Sequence, residues 1–423
     1  MCRRGAEVSF WQSDQVIEPI LAVSTALVVW AMLAGWFERH RITAPMVVVA
    51  AGIVIGALGP DTVGEALNAS TALHAAEIIL AILLFIDSSE VRGRLLGSHP
   101  GAALRVLLVA TPLSIAAAML LGAWVFPKAG WALLLVLACV VVPTDFSPAA
   151  ATLRDDRVPA KVRDVLNIEA GYKDGLLAPV LFFGIALAAG TAPSGSALGA
   201  LGAVSWAVGV AIVVGATIGW LLGRGVNAAE RRGLMTTQSG RVIVVVAPVL
   251  AFAASYGLGG NEFVAPFLCG VVFHHLRRRS AHFVDGHRLI DDVGFLLTAQ
   301  MWFVFGAAAF LALTGDVSWQ LIVFCLAVLT VVRMAPIALS LLGSEFTKTE
   351  VLLIGWLGPR GTPSIVFGLL AFNLLPTDDG DDVLSVMVLT VLGSIVLHGA
   401  GSPLAAHLLD RRRARRQVKG AGP

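Results

Sequence analysis

The chain has 423 residues, of which 57% are hydrophobic and only 14% are charged, and its mean hydropathy is +0.83. This composition excludes a soluble domain built around one core and is typical of an all-α polytopic membrane protein. The net charge of +2 says nothing about nucleic acid, because the basic residues are divided among short loops and one tail, and no nucleic-acid partner is expected. No cofactor is expected, since the four cysteines lack metal-ligand spacing and the glycine-rich pieces lack the lysine pattern of a phosphate-binding loop.

Thirteen apolar runs follow one another along the chain, and a run of about 20 residues can cross a bilayer as a helix. The first run is too long for the apolar part of a signal peptide, so we expect it to remain as a helix. The runs cover residues 17–36, 43–59, 70–90, 102–126, 129–152, 165–190, 197–223, 241–259, 261–276, 292–314, 318–343, 349–375 and 383–408. The sequence therefore predicts about thirteen transmembrane helices.

The loops between these runs alternate in charge. Those after the odd-numbered runs are rich in Lys and Arg, except for the last of them, whereas the alternate loops are nearly free of positive charge. The positive-inside rule then makes the odd-numbered connections cytoplasmic, with the N-terminus outside the cell membrane and the C-terminus inside. We expect a multi-pass transmembrane domain over residues 1–410. A short basic cytoplasmic tail over 411–423 is expected to lie against anionic lipid headgroups.

Two of the runs are interrupted by proline. An odd number of helices suits an inverted repeat of six helices, a linking seventh and six more of opposite orientation. The fifth run is broken at Pro143 and Pro148, and its counterpart, the twelfth, is broken in the segment GPRGTP at Pro359 and Pro363. Proline removes a backbone donor and clashes with the preceding turn, so both helices are expected to unwind, unless the prolines only kink them. Unwound half-helices expose N–H and C=O groups whose partial charges can face ions.

Four ionisable residues lie within the fifth and sixth runs, at Asp145, Glu169, Lys173 and Asp174. A charged side chain near the centre of a membrane helix costs roughly 2.5 to 3.5 kcal/mol, so four would cost about 10 to 14 kcal/mol if lipid surrounded them. They must therefore face the protein interior or a water-filled cavity. Such a cluster is typical of an ion or proton pathway.

Four segments together carry a family resemblance. TDFSP at 144–148, NIEAGYKDG at 167–175, VVRMAP at 331–336 and GPRGTPSIVFGLL at 358–370 resemble the monovalent cation:proton antiporters of the bacterial sodium/proton exchanger type. The likeness covers essentially the whole chain. It implies a homodimer in which one bundle is the dimerisation scaffold and another moves against it, with crossed, unwound fifth and twelfth helices beside the ion site.

The resemblance also implies roles for single residues. Thr144, Asp145 and Asp174 match residues that line the ion site, where Na⁺ would bind transiently. A carboxylate such as Asp174 can hold a proton or a dehydrated cation but not both well, and burial favours its protonated form. Oxygen ligands suit Na⁺ or a similar cation better than a transition metal. Asp145 lies where a helix is interrupted, so it is either a cation ligand or a cap for free N–H groups.

The remaining matches concern permanent positive charges. The glutamate matching Glu169 is held by an arginine matching Arg333, and the arginine matching Arg360 supports the broken twelfth helix. Arginine does not lose its proton in proteins, so both act as counter-charges, with structural salt bridging as their expected role.

Two positions depart from the family pattern. Ala170 replaces the usual serine and removes a hydroxyl ligand, and Lys173 replaces the usual asparagine before Asp174. At about 5 Å and an effective dielectric constant of about 20, a fixed positive charge repels Na⁺ by roughly 3 kcal/mol. Lys173 is therefore either a salt-bridge partner of Glu169 four residues earlier, a coupling residue for Asp174, or the mark of a site that has lost transport.

These observations predict a secondary antiporter, not an enzyme, that exchanges Na⁺ or Li⁺, or else K⁺, for H⁺ by alternating access. A non-transporting membrane sensor on the same fold is the alternative because of Lys173. An intramembrane aspartyl protease using Asp145 and Asp174 is disfavoured, because the tyrosine and glycine-x-glycine patterns of those enzymes are missing.

Overall fold

The structure is a computed structural model that describes residues 14–40, 42–67, 70–90, 96–146, 158–277, 283–315 and 317–420. All regular secondary structure in these ranges is helical. The helices are α1 (Asp14–Arg39), α2 (Ala44–Leu58), α3 (Pro60–Leu67), α4 (Ser70–Glu90), α5 (Pro100–Arg105), α6 (Thr111–Val125), α7 (Trp131–Val141), α8 (Ala160–Ala188), α9 (Ala197–Arg231), α10 (Thr237–Gly257), α11 (Val264–Arg277), α12 (Phe283–Thr314), α13 (Trp319–Leu329), α14 (Val331–Ser340), α15 (Lys348–Trp356), α16 (Thr362–Leu374) and α17 (Thr377–Gly420). A π-helical turn over Val106–Ala110 joins α5 to α6.

Every predicted apolar run has a helical counterpart. Within the described residues, eight helical segments are long and apolar enough to cross a membrane, and five shorter apolar helices accompany them. Because these segments correspond one to one with the thirteen runs, the all-helical polytopic class predicted from the sequence is confirmed.

Two boundaries differ from the prediction. The fifth run was expected to extend to residue 152, but its helix ends at Val141, and Pro148 lies outside the described residues. The eleventh run divides into α13 and α14 at Thr330, whose ψ of −88° is not helical, although no proline occurs there. The last helix continues to Gly420, so the backbone of the basic stretch after residue 410 is helical.

The two interrupted runs lie side by side in one bundle. The helix before the first break, α7, packs against α8, α16 and α17, and its residues from Leu133 onward are buried. The helices on either side of the second break, α15 and α16, both contact α8, and α15 also packs against α14. This packing brings the charged residues of α8 and α14 to the place where the two helices are interrupted.

Helices outside this bundle pack closely through small residues. Between α2 and α12, a Cβ atom added at Gly52 would lie 3.0 Å from the Cα of Gly306, and one added at Gly306 would collide with the carbonyl oxygen of Val49. Close backbone approach through glycine is a common way for membrane helices to associate, because lipid supplies no hydrophobic drive between them. These glycines therefore stabilise the helix pair through contact between backbones.

We expect Gly306→Ala to lower the melting temperature of the detergent-purified protein, since the added methyl group forces α2 and α12 apart. Overpacking of this kind costs about 1 to 3 kcal/mol. The matched control is Gly35→Ala in α1, where an added Cβ meets no atom within 4 Å. Equal melting temperatures for the two variants would contradict this account of the packing.

Candidate functional site

The first helix break begins where α7 ends. Residues 142–146 are not helical, and Thr144 within them is buried with 1% of its surface exposed. Here the end of α7 leaves backbone carbonyls that its own helix cannot satisfy. The Arg360 guanidinium takes up two of them, because its Nη1 donates to the carbonyl oxygens of Val142 at 3.0 Å and Pro143 at 2.9 Å.

The second break covers residues 357–361, between α15 and α16. The backbone N–H of Thr362, the first residue of α16, donates to Oδ2 of Asp145 at 2.8 Å. The Asp145 N–H in turn donates to the carbonyl oxygen of Pro359 at 2.9 Å. Pro363 lies in the first turn of α16, not in the break, at a position where a helix needs no N–H donor.

Glycine permits this close approach. A Cβ atom added at Gly361 would lie 2.8 Å from both Cβ and Cγ of Asp145. The φ angle of Gly361 is −158°, which any residue can adopt, so the requirement is for space and not for an unusual backbone conformation. An alanine here would push the Asp145 carboxylate away from the N-terminus of α16.

Each break therefore caps the helix of the other. A carboxylate at a helix N-terminus and a cation at a helix C-terminus are the favourable charges for the helix dipole, each worth typically about 0.3 to 1 kcal/mol and more when partly buried. Asp145 satisfies the first condition for α16, and Arg360 satisfies the second for α7. Of the two roles that the sequence left open for Asp145, the capping contact is present.

Arg333 of α14 does the same for the end of α15. Its Nε donates to the carbonyl oxygen of Gly355 at 3.0 Å, and its Nη2 donates to those of Ile354 and Leu357, each at 3.1 Å. The same guanidinium binds Glu169 of α8 through two hydrogen bonds, Nη1 to Oε1 at 2.7 Å and Nη2 to Oε2 at 3.1 Å. The ion pair between Glu169 and Arg333 that the family resemblance implied is present.

Lys173 points along α8 towards the same carboxylate. Its Nζ forms a hydrogen-bonded ion pair with Oε1 of Glu169, and both side chains are buried. Of the three readings of Lys173, the structure thus contains the salt bridge. Successive helix residues point about 100° apart, so Glu169 holds the ammonium group on a different face from the Asp174 side chain.

Asp174 has a buried carboxylate oxygen for which the described part of the chain supplies no donor. The residue is 2% exposed, and among the described residues neither its Oδ1 nor the hydroxyl of Thr144 has a hydrogen-bond partner. Asp145, Lys173 and other charged groups of the two breaks lie within electrostatic range of this carboxyl. Buried polar atoms are normally paired, so these two oxygens are suited to receive a proton or a cation.

The charges at the two helix breaks balance formally. Three acidic and three basic side chains lie there, all buried except the partly buried Asp145, namely Asp145, Glu169, Asp174, Lys173, Arg333 and Arg360. With all six ionised the set is neutral, and the uptake of one proton or of one monovalent cation would change its net charge by the same amount.

Phe267 packs against the turn of α8 that contains Asp174, and the sequence did not predict this contact. Phe267 of α11 lies directly over Gly175, where an added Cβ would be 2.7 Å from the ring, and it contacts the Tyr172 ring edge-on at 5.7 Å. Gly175 was the only hint of this contact in the sequence. A side chain at this position would collide with the Phe267 ring, which lies against the backbone of α8. The ring covers this turn of α8 on the side of α11.

A polytopic helical fold with two interrupted helices that meet beside charged side chains is typical of an ion transporter. Residues 24–405 match the family described as sodium/hydrogen exchanger, transmembrane. The chain belongs to this family, which confirms the resemblance seen in its sequence.

One solved structure has a similar fold, and two further proteins are similar in sequence. The structure of the sodium proton antiporter MjNhaP1 from Methanocaldococcus jannaschii at pH 8 superposes with a TM-score of 0.71 at 17% identity, covering 91% of this chain and 99% of that one. The K(+)/H(+) antiporter NhaP2 of Shewanella sp. (strain ANA-3) is 25% identical over 406 residues, 94% of this chain and 68% of the relative. A Na(+)/H(+) antiporter of Schizosaccharomyces pombe is 24% identical over 306 residues, 65% of this chain and 64% of the relative.

Removing the shared carboxylate should destabilise the protein. Glu169→Gln leaves Arg333 and Lys173 as buried positive charges without their counter-charge, and breaking such a pair costs about 3 kcal/mol or more. We expect a lower melting temperature in detergent. Adding Lys173→Gln removes one of the two positive charges, so the double variant should recover part of the loss. A double variant that melts no higher than Glu169→Gln would contradict this charge-balance argument.

Proposed function

We propose that the protein exchanges Na⁺ or Li⁺, with K⁺ as the alternative substrate, for H⁺ across the cell membrane by alternating access. The observation that carries this proposal is the buried Asp174 carboxyl, one oxygen of which has no donor among the residues that the structure describes. The carboxyl also lies within electrostatic range of the helix break at Asp145. The membership of the chain in the sodium/hydrogen exchanger family supports the same activity.

Asp174 is the carrier in this mechanism. Its carboxylate binds either a proton or a dehydrated cation, and each displaces the other because one negative charge cannot hold both well. The hydroxyl of Thr144 and the Asp145 carboxylate complete the cation site with oxygen ligands, which alkali ions prefer. Protons that move inward down their gradient then drive the cation outward. This coupling requires that the protein switches between its inward-open and outward-open states only when the site holds a proton or a cation.

Lys173 is a fixed counter-charge in this proposal, not a carrier. Its ion pair with Glu169 supports that role, because the pair compensates the ammonium charge next to the cation site. The pairing also explains how a lysine fits here without loss of transport. No observation favours the alternative of a membrane sensor without transport activity.

The relatives leave two cations open. One relative is named as a K⁺/H⁺ antiporter and another as a Na⁺/H⁺ antiporter. Carboxylate and hydroxyl oxygens accept any of the alkali ions, and the selectivity depends on how closely they converge. We favour Na⁺ and Li⁺ because the family as a whole is described as sodium/hydrogen exchangers.

We further propose a homodimer with the N-terminus outside and the C-terminus in the cytoplasm. The alternation of positive charge between the loops supports this orientation. The long helix α9 leaves large apolar side chains exposed, among them Leu198, Trp206 and Val213. A helix that is apolar on its outer face suits contact with lipid or with a second copy of the chain.

Asp174→Asn should abolish exchange, since an amide takes up no proton at neutral pH and offers no negative charge for which a proton and a cation can compete. The measurement is the collapse of an imposed pH gradient in everted vesicles on addition of NaCl, LiCl or KCl. Asp164→Asn is the matched control. This carboxylate lies on the same helix but takes no part in the contacts of the two helix breaks, and it accepts from the backbone N–H of Ser98 at 2.7 Å. Cation-dependent collapse that survives in Asp174→Asn would end the carrier assignment.

Lys173→Asn should retain exchange and lower the KM for the cation. Removing a positive charge near the site weakens the repulsion of the cation. At a separation of about 5 Å this repulsion corresponds to about tenfold or more in affinity. The same vesicles give KM and the pH dependence. An inactive variant, or one whose pH dependence changes while KM does not, would instead make Lys173 part of the coupling.

Purified protein in proteoliposomes distinguishes the substrates. We expect exchange with Na⁺ and Li⁺, and a weaker response or none with K⁺, measured with and without a clamped membrane potential. Faster exchange with K⁺ than with Na⁺ would reverse our choice of cation and leave the mechanism at Asp174 intact.

A further inference from the structure

Two polar side chains of the last helix, Ser394 and His398 of α17, touch the second helix break from outside the ion site. They are one turn apart and fully buried, with 1% and 2% of their surfaces exposed. Neither belongs to the set of charged residues described above. Buried polar groups in a membrane helix are costly unless they are paired, so their partners indicate what they do.

Their hydrogen bonds reach both ends of the break. The Ser394 hydroxyl accepts from the backbone N–H of Arg360 at 2.7 Å and lies 3.2 Å from Nδ1 of His398. The other ring nitrogen, Nε2, lies 3.1 Å from the carbonyl oxygen of Trp356, the last residue of α15. Together the two side chains bridge the backbone from Trp356 to Arg360.

The partners constrain the direction of these bonds. The backbone N–H of Arg360 only donates, so the Ser394 hydroxyl accepts from it. Nδ1 of His398 lies 3.2 Å from both the hydroxyl and the carbonyl oxygen of Ser394, while Nε2 faces the carbonyl oxygen of Trp356, so a neutral ring can donate to only one of the two carbonyls. In the tautomer with its hydrogen on Nε2, the ring donates to Trp356 and Nδ1 accepts from the Ser394 hydroxyl, and this is the tautomer in which the two side chains bridge the break.

We propose that Ser394 and His398 are positioning residues that set the geometry of the second break and, through Arg360, that of the cation ligands on the first. The connection is short. The Arg360 backbone is held by Ser394, its guanidinium holds the carbonyls of Val142 and Pro143, and the next residue in the chain is Thr144. This inference rests on the proposed exchange function, in which the hydroxyl of Thr144 is a ligand.

Loss of the bridge has a specific consequence. Ser394→Ala leaves the buried N–H of Arg360 without an acceptor, and a break that is no longer held relaxes away from the geometry suited to the cation. The effect should fall on binding of the cation more than on the maximum rate of exchange, because Asp174 itself is untouched. A generally weakened protein would show the opposite, with fewer active molecules and an unchanged KM.

The test uses five variants of the full chain in proteoliposomes: two that remove the hydrogen bonds, two that retain them, and one control. Ser394→Ala and His398→Phe should raise the KM for the cation about tenfold while the maximum rate per molecule stays within about twofold. Ser394→Thr retains the hydroxyl and His398→Gln retains an N–H for Trp356, so both should stay near the wild-type KM. Ser340→Ala is the control, a buried serine of α14 that donates to Ile337 in its own helix.

A second measurement does not depend on transport. Amide hydrogen exchange over residues 357–362 in detergent should become faster in Ser394→Ala and His398→Phe but not in Ser340→Ala. Unchanged amide exchange overturns the proposal, and so does an unchanged KM in an active protein. A wild-type protein without cation-dependent exchange would refute the proposed function, and the amide measurement would then still decide whether the bridge holds the break.

Discussion

The reciprocal capping between the two helix breaks is the interaction on which the rest of the structure depends. A helix interrupted inside a bilayer leaves N–H and C=O groups that water cannot reach, and each costs several kcal/mol if it stays unpaired. Here each interrupted helix supplies the hydrogen-bond partner for the other. Asp145 on one break pairs with the N-terminus of α16, while Arg360 on the other pairs with the end of α7. Neither break can keep its geometry without the other.

The remaining charged residues extend this arrangement. Arg333 caps the end of α15 and binds Glu169, which also holds Lys173. The carboxylate between two basic groups makes an otherwise expensive lysine compatible with a buried site, because its charge is compensated locally. Asp174 differs from these residues. One of its oxygens has no donor among the described residues. Because the other charged side chains at the breaks are paired with one another, this carboxylate stays available for a proton or a cation.

The sequence predicted what local patterns determine. Length and hydropathy were sufficient for the thirteen runs, prolines marked both breaks, and a spacing of four residues offered the pair of Glu169 and Lys173. Contacts between distant segments were not accessible. Asp145 and Thr362 are 217 positions apart, and no local pattern shows which carboxylate caps which helix. The division at Thr330 has no proline to mark it, and Phe267, Ser394 and His398 acquire meaning only from neighbours far along the chain.

The separation in sequence between Asp145 and Thr362, whose N–H it caps, also has a consequence for biogenesis. The ribosome delivers the fifth segment long before the twelfth, with 217 positions of chain between them. During that interval the end of α7 and the Asp145 carboxylate are without their final partners. The break after α7 can therefore acquire its final hydrogen bonds only after residues 360–362 have been synthesised. Premature termination anywhere before Arg360 would leave this segment permanently unfinished.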